Sequence, residues 1–142
     1  MRQVKHLLEA KGRQVFAIEP ERPVLDAVKA MAEHRIGALL VMRGGDLAGI
    51  VSERDYARKV VLHGRASADT PVAEIMSAPV VTVGPESTVE ECMRLCTDRR
   101  VRHLPVVERG KLIGVVSIGD LVKATIDEQA EQIEHLQRYI AG

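Results

Sequence analysis

Apolar residues at Val24, Ala27, Val28 and Met31 fall at the i, i+3, i+4, i+7 spacing of a helix with one buried face. The same stripe recurs at Val89, Cys92, Met93 and Cys96. Ahead of each helix lies a short apolar run, Val15–Ile18 or Val80–Val83, closed by Pro20 or Pro85. The pattern predicts a strand at each of these two places. Behind each helix come paired apolar runs, ALLVM (38–42) with LAGIV (47–51) and HLPVV (103–107) with LIGVV (112–116). The intervening RGGD and ERGK carry glycine, so each pair predicts a β-hairpin. A second helix starts near Ser52 and again near Ser117. Pro23 suits a first helical turn, and Ser87 with Glu90 has the spacing of a capping box.

Sliding the sequence by sixty-five positions lays residues 15–61 on residues 80–126 without a gap. Pro20 meets Pro85, Glu21 meets Glu86, Arg35 meets Arg100, Ser52 meets Ser117, and Asp55 meets Asp120. An ungapped register of that length is a duplication. Two copies are too few for a solenoid, so the units are expected to pack as a pseudo-symmetric pair. The expected architecture is α+β, built from α/β-type repeats of order β-α-β-β-α. The first repeat is assigned to residues 1–64, the second to 65–128, and a C-terminal helix extension to 129–142. Val4–Leu8 and Val72–Met76 read as short apolar turns leading into the two repeats. In the extension, Val122, Ile126, Gln129, Ile133, Leu136 and Ile140 follow alternating steps of four and three. That seam fits either a helix lying on its own domain or a partner helix at a dimer interface.

Composition narrows the function. Lys+Arg and Asp+Glu balance at 20 each, which argues against the broad basic face of a nucleic-acid binder. No run of about twenty apolar residues is present, so no membrane span is expected. The N-terminal residues do not read as a signal peptide, and Cys92 and Cys96 suit a reducing compartment, making the cytoplasm the expected location. Those two cysteines align with Ala27 and Met31, which favours buried core residues over a metal or redox pair. His6, His34, His63, His103 and His135 form no metal-binding cluster. No nucleophile elbow or phosphate-binding loop signature appears, and no enzymatic activity or catalytic cofactor is expected.

The candidate chemistry lies in GIVSERD (49–55) and GVVSIGD (114–120). Each string ends a strand and opens a helix. The first-turn N–H groups and the serine hydroxyl suit an anion, and the aspartate can accept two hydrogen bonds from a ribose diol. Gly49 and Gly114 allow a backbone or a ligand to approach closely. Ser-x-x-Asp is also a capping box that needs no ligand. Its recurrence in register, behind the same strand end, favours the ligand reading.

These strings, with IGALLV (36–41), VRHLPVV (101–107) and the Pro-Glu turns at Pro20 and Pro85, resemble the tandem CBS domain pair, the Bateman module. The resemblance covers nearly the whole chain, and the lack of a catalytic domain makes it similar to the small free-standing bacterial members. It implies a sensor that takes adenosyl ligands (AMP, ADP, ATP or NAD) in two clefts between the repeats and signals energy or redox state. It further implies a homodimer and a regulated protein partner. Carried over, the second-repeat site comprises Thr82, Val83, Val101, Arg102, His103, Leu104, Pro105, Ser117 and Asp120. Thr82 and Val83 would lie near the base, Ser117 and Asp120 on ribose and phosphate, and Arg102 with His103 towards phosphates. The first-repeat site comprises Ile18, Ile36, Gly37, Ala38, Leu39, Ser52, Arg54 and Asp55. Here Gly37 and Ala38 replace Arg102 and His103, so the two sites are expected to differ. A ligandless dimerisation scaffold is the alternative.

Overall fold

The computed structural model describes residues 2–141. In chain order the elements are α1 (Val4–Lys11), β1 (Ala17–Ile18), α2 (Val24–His34), β2 (Ala38–Arg43), β3 (Asp46–Ser52) and α3 (Glu53–Tyr56). A π turn (Ala57–Val61) and a 3-10 turn (Val72–Glu74) follow. Then come α4 (Val89–Arg99), β4 (His103–Glu108), β5 (Lys111–Ser117) and α5 (Ile118–Ala141). This is the expected mixture of helix and strand.

The chain forms two compact units. One is Val15–Val81; the other combines the residues up to Gln14 with those from Thr82 onward. The sequence division at residue 64 follows the repeat, whereas packing exchanges the two lead-in segments. Backbone hydrogen bonding explains the exchange. Val4 N–H donates to Ser87 O and Lys5 N–H to Pro85 O, both at 2.9 Å. In the other unit Val72 N–H donates to Arg22 O and Ala73 N–H to Pro20 O, also at 2.9 Å. Each lead-in thus pairs its N–H groups with carbonyls at the Pro-Glu turn of the other repeat. The lead-ins also adopt different structures, an α-helix at Val4–Lys11 and a 3-10 turn at Val72–Glu74.

In the Val15–Val81 unit, β1 runs parallel to β2, and β2 pairs antiparallel with β3. Val24, Ala27 and Met31 of α2 pack with Leu39, Val41, Val51, Val60, Val72 and Ile75. The predicted helical stripe is therefore the face that α2 buries. In the other unit α4 buries Val89, Cys92 and Cys96, and β4 pairs antiparallel with β5. Both cysteines are free, buried thiols. Burial foremost, then Cys96 and Glu91 nearby, pushes the Cys92 thiol up to about 11.

Three local expectations shift. The strand expected at Val80–Val83 is reduced to a bridge between Val83 and Val106. In the first repeat Leu40 N–H donates to Phe16 O at 3.1 Å. Sixty-five positions on, Pro105 has no N–H to repeat that bond. The α4 cap is Thr88 with Glu91, one residue beyond the expected pair: Thr88 Oγ1 accepts from Glu91 N–H at 3.1 Å. Ser87 Oγ accepts instead from Gly84 N–H at 3.2 Å. Pro23 is the N-cap of α2 rather than its first helical residue.

Gly49 and Gly114 are sites of close approach, and what approaches is the protein itself. A Cβ on Gly49 would lie 2.7 Å from Met76 Sδ and 2.9 Å from the Ser77 carbonyl oxygen. On Gly114 it would meet Leu8 Cδ2 at 2.8 Å. Met76 and Leu8 belong to the lead-in segments, so the glycines seat those segments on β3 and β5. The closing helices diverge: α3 has four residues before the π turn, while α5 has twenty-four. Along α5, Ile126, Ile133, Leu136 and Ile140 are all exposed.

Gly49→Ala is expected to destabilise the protein by about 1–3 kcal/mol, because the Ser77 carbonyl is backbone and cannot swing aside. Gly45→Ala, with nothing within 4 Å of its Cβ position, serves as the neutral control. Urea unfolding of the two variants checks this; equal midpoints would refute the steric account. Ellman's reagent is expected to modify Cys92 and Cys96 slowly in native protein at pH 8 and at once in guanidinium. Fast native labelling would contradict their burial.

Candidate functional site

Ser52 ends β3 in an extended conformation and turns the chain into α3. Its N–H donates to Asp55 Oδ2 at 2.9 Å, and its hydroxyl accepts from Asp55 N–H at 3.2 Å. The next N–H, of Glu53, donates to Gly37 O at 3.0 Å. At the start of α5 the arrangement repeats. Ser117 N–H donates to Asp120 Oδ2 at 2.8 Å, and Asp120 N–H donates to Ser117 Oγ at 3.1 Å. Ile118 N–H reaches Arg102 O at 2.8 Å. Both strings are capping boxes whose first N–H groups already have acceptors.

Around Ser117 the structure gathers several of the predicted residues. His103 is its partner across the β4–β5 ladder, followed by Leu104 opposite Val116 and Pro105 opposite Val115. Val101 N–H caps α4 through Cys96 O at 3.1 Å, which leads the chain directly to the Arg102 carbonyl. Val83 lies alongside β4, with its N–H on Pro105 O at 3.0 Å. The Arg102 and Thr82 side chains are exposed. Leu104 is fully buried, so its side chain serves the core.

In the Val15–Val81 unit, Ala38 pairs with Ser52 and Leu39 with Val51 across β2–β3. Leu39 is a core residue, whereas Ile36 and Ile18 are partly buried against that core. Ile18 pairs with Val41, three residues along β2 from Ala38. Arg54 is exposed at the start of α3.

Two basic residues absent from the predicted sets hold the aspartates. Lys59 Nζ lies 3.1 Å from Asp55 Oδ1, one helical turn on, and donates to Ile75 O at 2.9 Å. This i, i+4 pairing is the kind of signal a sequence carries openly. Lys11, at the end of α1, places its ammonium 2.6 Å from Asp120 Oδ2 and 3.0 Å from Val115 O. A separation of 109 residues hides that contact from any local reading. Burial, the largest influence, pushes the Asp120 carboxyl up. The hydrogen bonds from Lys11 and Ser117, with the Lys11 charge, outweigh it and hold the group below its ordinary value. Asp120 is therefore a carboxylate at neutral pH, an acceptor and not a donor.

A groove of about 700 Å³ opens beside Asp120, lined by Arg2, His6, Lys11, Lys123 and Glu131 among others. A groove of about 440 Å³ in the other unit is lined by Ile18, Glu19, Met42 and Arg43. Each contains one predicted site residue and not the full set. Among the described residues there is no cluster of three metal-ligating side chains, and no helix is long and apolar enough to cross a membrane.

A family model described as the CBS domain matches residues 7–62 and 72–127. The chain is 47% identical over 124 residues to the CBS domain-containing protein CBSX3, mitochondrial, of Arabidopsis thaliana. That alignment covers 84% of this chain and 60% of the relative. The solved structure of a putative signal-transduction protein with CBS domains from Burkholderia ambifaria MC40-6 is 54% identical, with a TM-score of 0.88. It covers 90% of this chain and 96% of the other. The CBS domain pair of protein MJ0100, in complex with 5'-methylthioadenosine and S-adenosyl-L-methionine, shares the fold at 21% identity, with a TM-score of 0.80. Its match covers 90% of this chain and 98% of that one. With both repeats matched and each strand-to-helix box in place, the chain belongs to the CBS-domain family as a tandem pair.

Proposed function

We propose that this pair is a regulatory sensor that binds an adenosyl ligand and relays its presence to a partner protein. The observation that carries this reading is the ionised, partly buried Asp120 at a strand-to-helix junction, repeated in register by Asp55. A carboxylate fixed at a helix start suits a ribose diol, and the adjoining Ser117 and helix N-terminus suit phosphate. Thr82, Val83 and Pro105 are the positions proposed for the base, with Arg102 and His103 proposed towards phosphate. The MJ0100 pair, which shares the fold, holds adenosyl compounds in its crystal. AMP, ADP, ATP and NAD are the ligands proposed here, and energy or redox state the signal. Ser52 and Asp55 are the centre of the second proposed site, with Ile18, Ile36, Gly37, Ala38, Leu39 and Arg54 as its further proposed positions. Its four donors onto the Asp55 carboxylate (Ser52 N–H, Ser52 Oγ, Ser77 Oγ and Lys59) make it the weaker of the two.

A second reading, a homodimerising scaffold without ligand, is favoured by the exposed seam on α5. Ile126, Ile133, Leu136 and Ile140 are each more than half exposed, an arrangement that gains by pairing with a second helix. The two readings are compatible in their assembly and opposed on ligand.

In a thermal-shift panel of AMP, ATP, NAD and S-adenosylmethionine, at least one compound should raise the melting temperature. At a hundredfold excess over Kd the stabilisation is about 2.7 kcal/mol. Asp120→Ala should lose most of that shift while the unliganded variant still melts cooperatively, about 1 kcal/mol less stable for its lost cap. No shift with any of the four compounds would leave the scaffold reading standing alone. Light scattering at micromolar concentration should give twice the 15.6 kDa chain mass, falling towards one chain for Ile133→Glu with Leu136→Glu. A wild-type monomer would refute the homodimer.

A further inference from the structure

We infer that Lys11 sets the ligand-charge preference of the Asp120 site, an inference that rests on the proposed adenosyl reading. A carboxylate oxygen accepts about two hydrogen bonds. On Asp120 Oδ2 those places are taken by Ser117 N–H at 2.8 Å and Lys11 Nζ at 2.6 Å. Ser117 N–H is main chain at the junction of β5 and α5, and it stays. A ribose diol that engages both carboxylate oxygens must therefore displace the ammonium of Lys11.

The displacement is local. Lys11 is the last residue of α1, followed by Gly12 at a positive φ of 95°. Its side chain is one-third exposed and turns on four rotatable bonds, so it can swing without moving the helix. Where it goes depends on the ligand. A neutral nucleoside takes the carboxylate and leaves the ammonium with the Val115 carbonyl, a net loss of one ion pair. A phosphorylated ligand offers a new anion close by, and the ammonium re-pairs through a charge-assisted bond. Of the acidic residues further along the groove, Asp127 and Glu131 already pair with Arg2, which leaves Glu128 as the competitor for it. Lys11 thus acts against nucleosides and for nucleotides at one carboxylate.

Asp55 lacks this device. Its cation, Lys59, sits on Oδ1 from the π turn that follows α3 and is also tied to the Ile75 carbonyl.

Calorimetry of adenosine and of AMP on wild type, Lys11→Met, Lys11→Gln, Lys11→Arg and Asp120→Ala tests the inference. Lys11→Met should bind adenosine about threefold more tightly and AMP about threefold more weakly, the size of one partly exposed ion pair. The AMP-over-adenosine preference then falls about tenfold. Lys11→Gln should repeat this with a polar side chain, and Lys11→Arg should stay near wild type. An unchanged preference in both neutral variants, with Asp120→Ala still losing both ligands, overturns the role of Lys11 and leaves the adenosyl reading intact. Wild type binding neither ligand, or Asp120→Ala binding both as wild type does, overturns the reading and this inference together.

Discussion

A serine and an aspartate three residues later exchange hydrogen bonds where each hairpin ends and its closing helix begins. The aspartate carboxylate takes the serine N–H, and the serine hydroxyl takes the aspartate N–H. The helix N–H between them reaches back to a carbonyl just ahead of the partner strand, Gly37 or Arg102. Three donors that a strand-to-helix turn would otherwise leave open are thereby placed. That placement fixes the end of β3 and β5 and the direction in which α3 and α5 depart. A single local device serves both the stability of the turn and the chemistry proposed for it.

The lead-in segments supply the next constraint. Their N–H groups close on carbonyls of the Pro-Glu turns, and Leu8 or Met76 settles onto a glycine in the strand beneath. Because each lead-in belongs by packing to the other repeat, the boundaries of the duplication are not the boundaries of the compact units. The same packing also brings to Asp120 a lysine that the repeat containing Asp120 does not encode. Asp55 is held by Lys59 from the π turn that follows α3, and the other lead-in brings it the Ser77 hydroxyl and no cation. Equivalent motifs thus come to sit in unequal electrostatic surroundings.

Much of this was legible in the chain. The stripes Val24, Ala27, Met31 and Val89, Cys92, Cys96 are the buried faces of α2 and α4, since a helix against a sheet has one dry side. Both hairpins turn at the expected glycines. Local details slipped where near-equivalent residues compete. Ser87 and Thr88 both carry a cap-forming hydroxyl, and only the backbone path selects Thr88 for α4 and Ser87 for the preceding turn. The missing strand at Val80–Val83 was readable in principle, because Pro105 stands where Leu40 donates. The lysine partners of the two carboxylates divide in the same manner: Lys59 is one turn away, and Lys11 is not.

The sequence by itself determined the duplication, the element order, the core faces and the two Ser-x-x-Asp boxes. Each of these depends on residues within a few positions of one another or on a direct copy of them. Tertiary structure alone decided which lead-in packs with which repeat, what fills the space above Gly49 and Gly114, and that Lys11 meets Asp120. Those outcomes depend on how backbone donors far apart in the chain find acceptors, and no periodicity records that. Asp120 shows the division plainly. Its cap is written in the three residues before it, while its ionisation is held from the far end of the chain by Lys11.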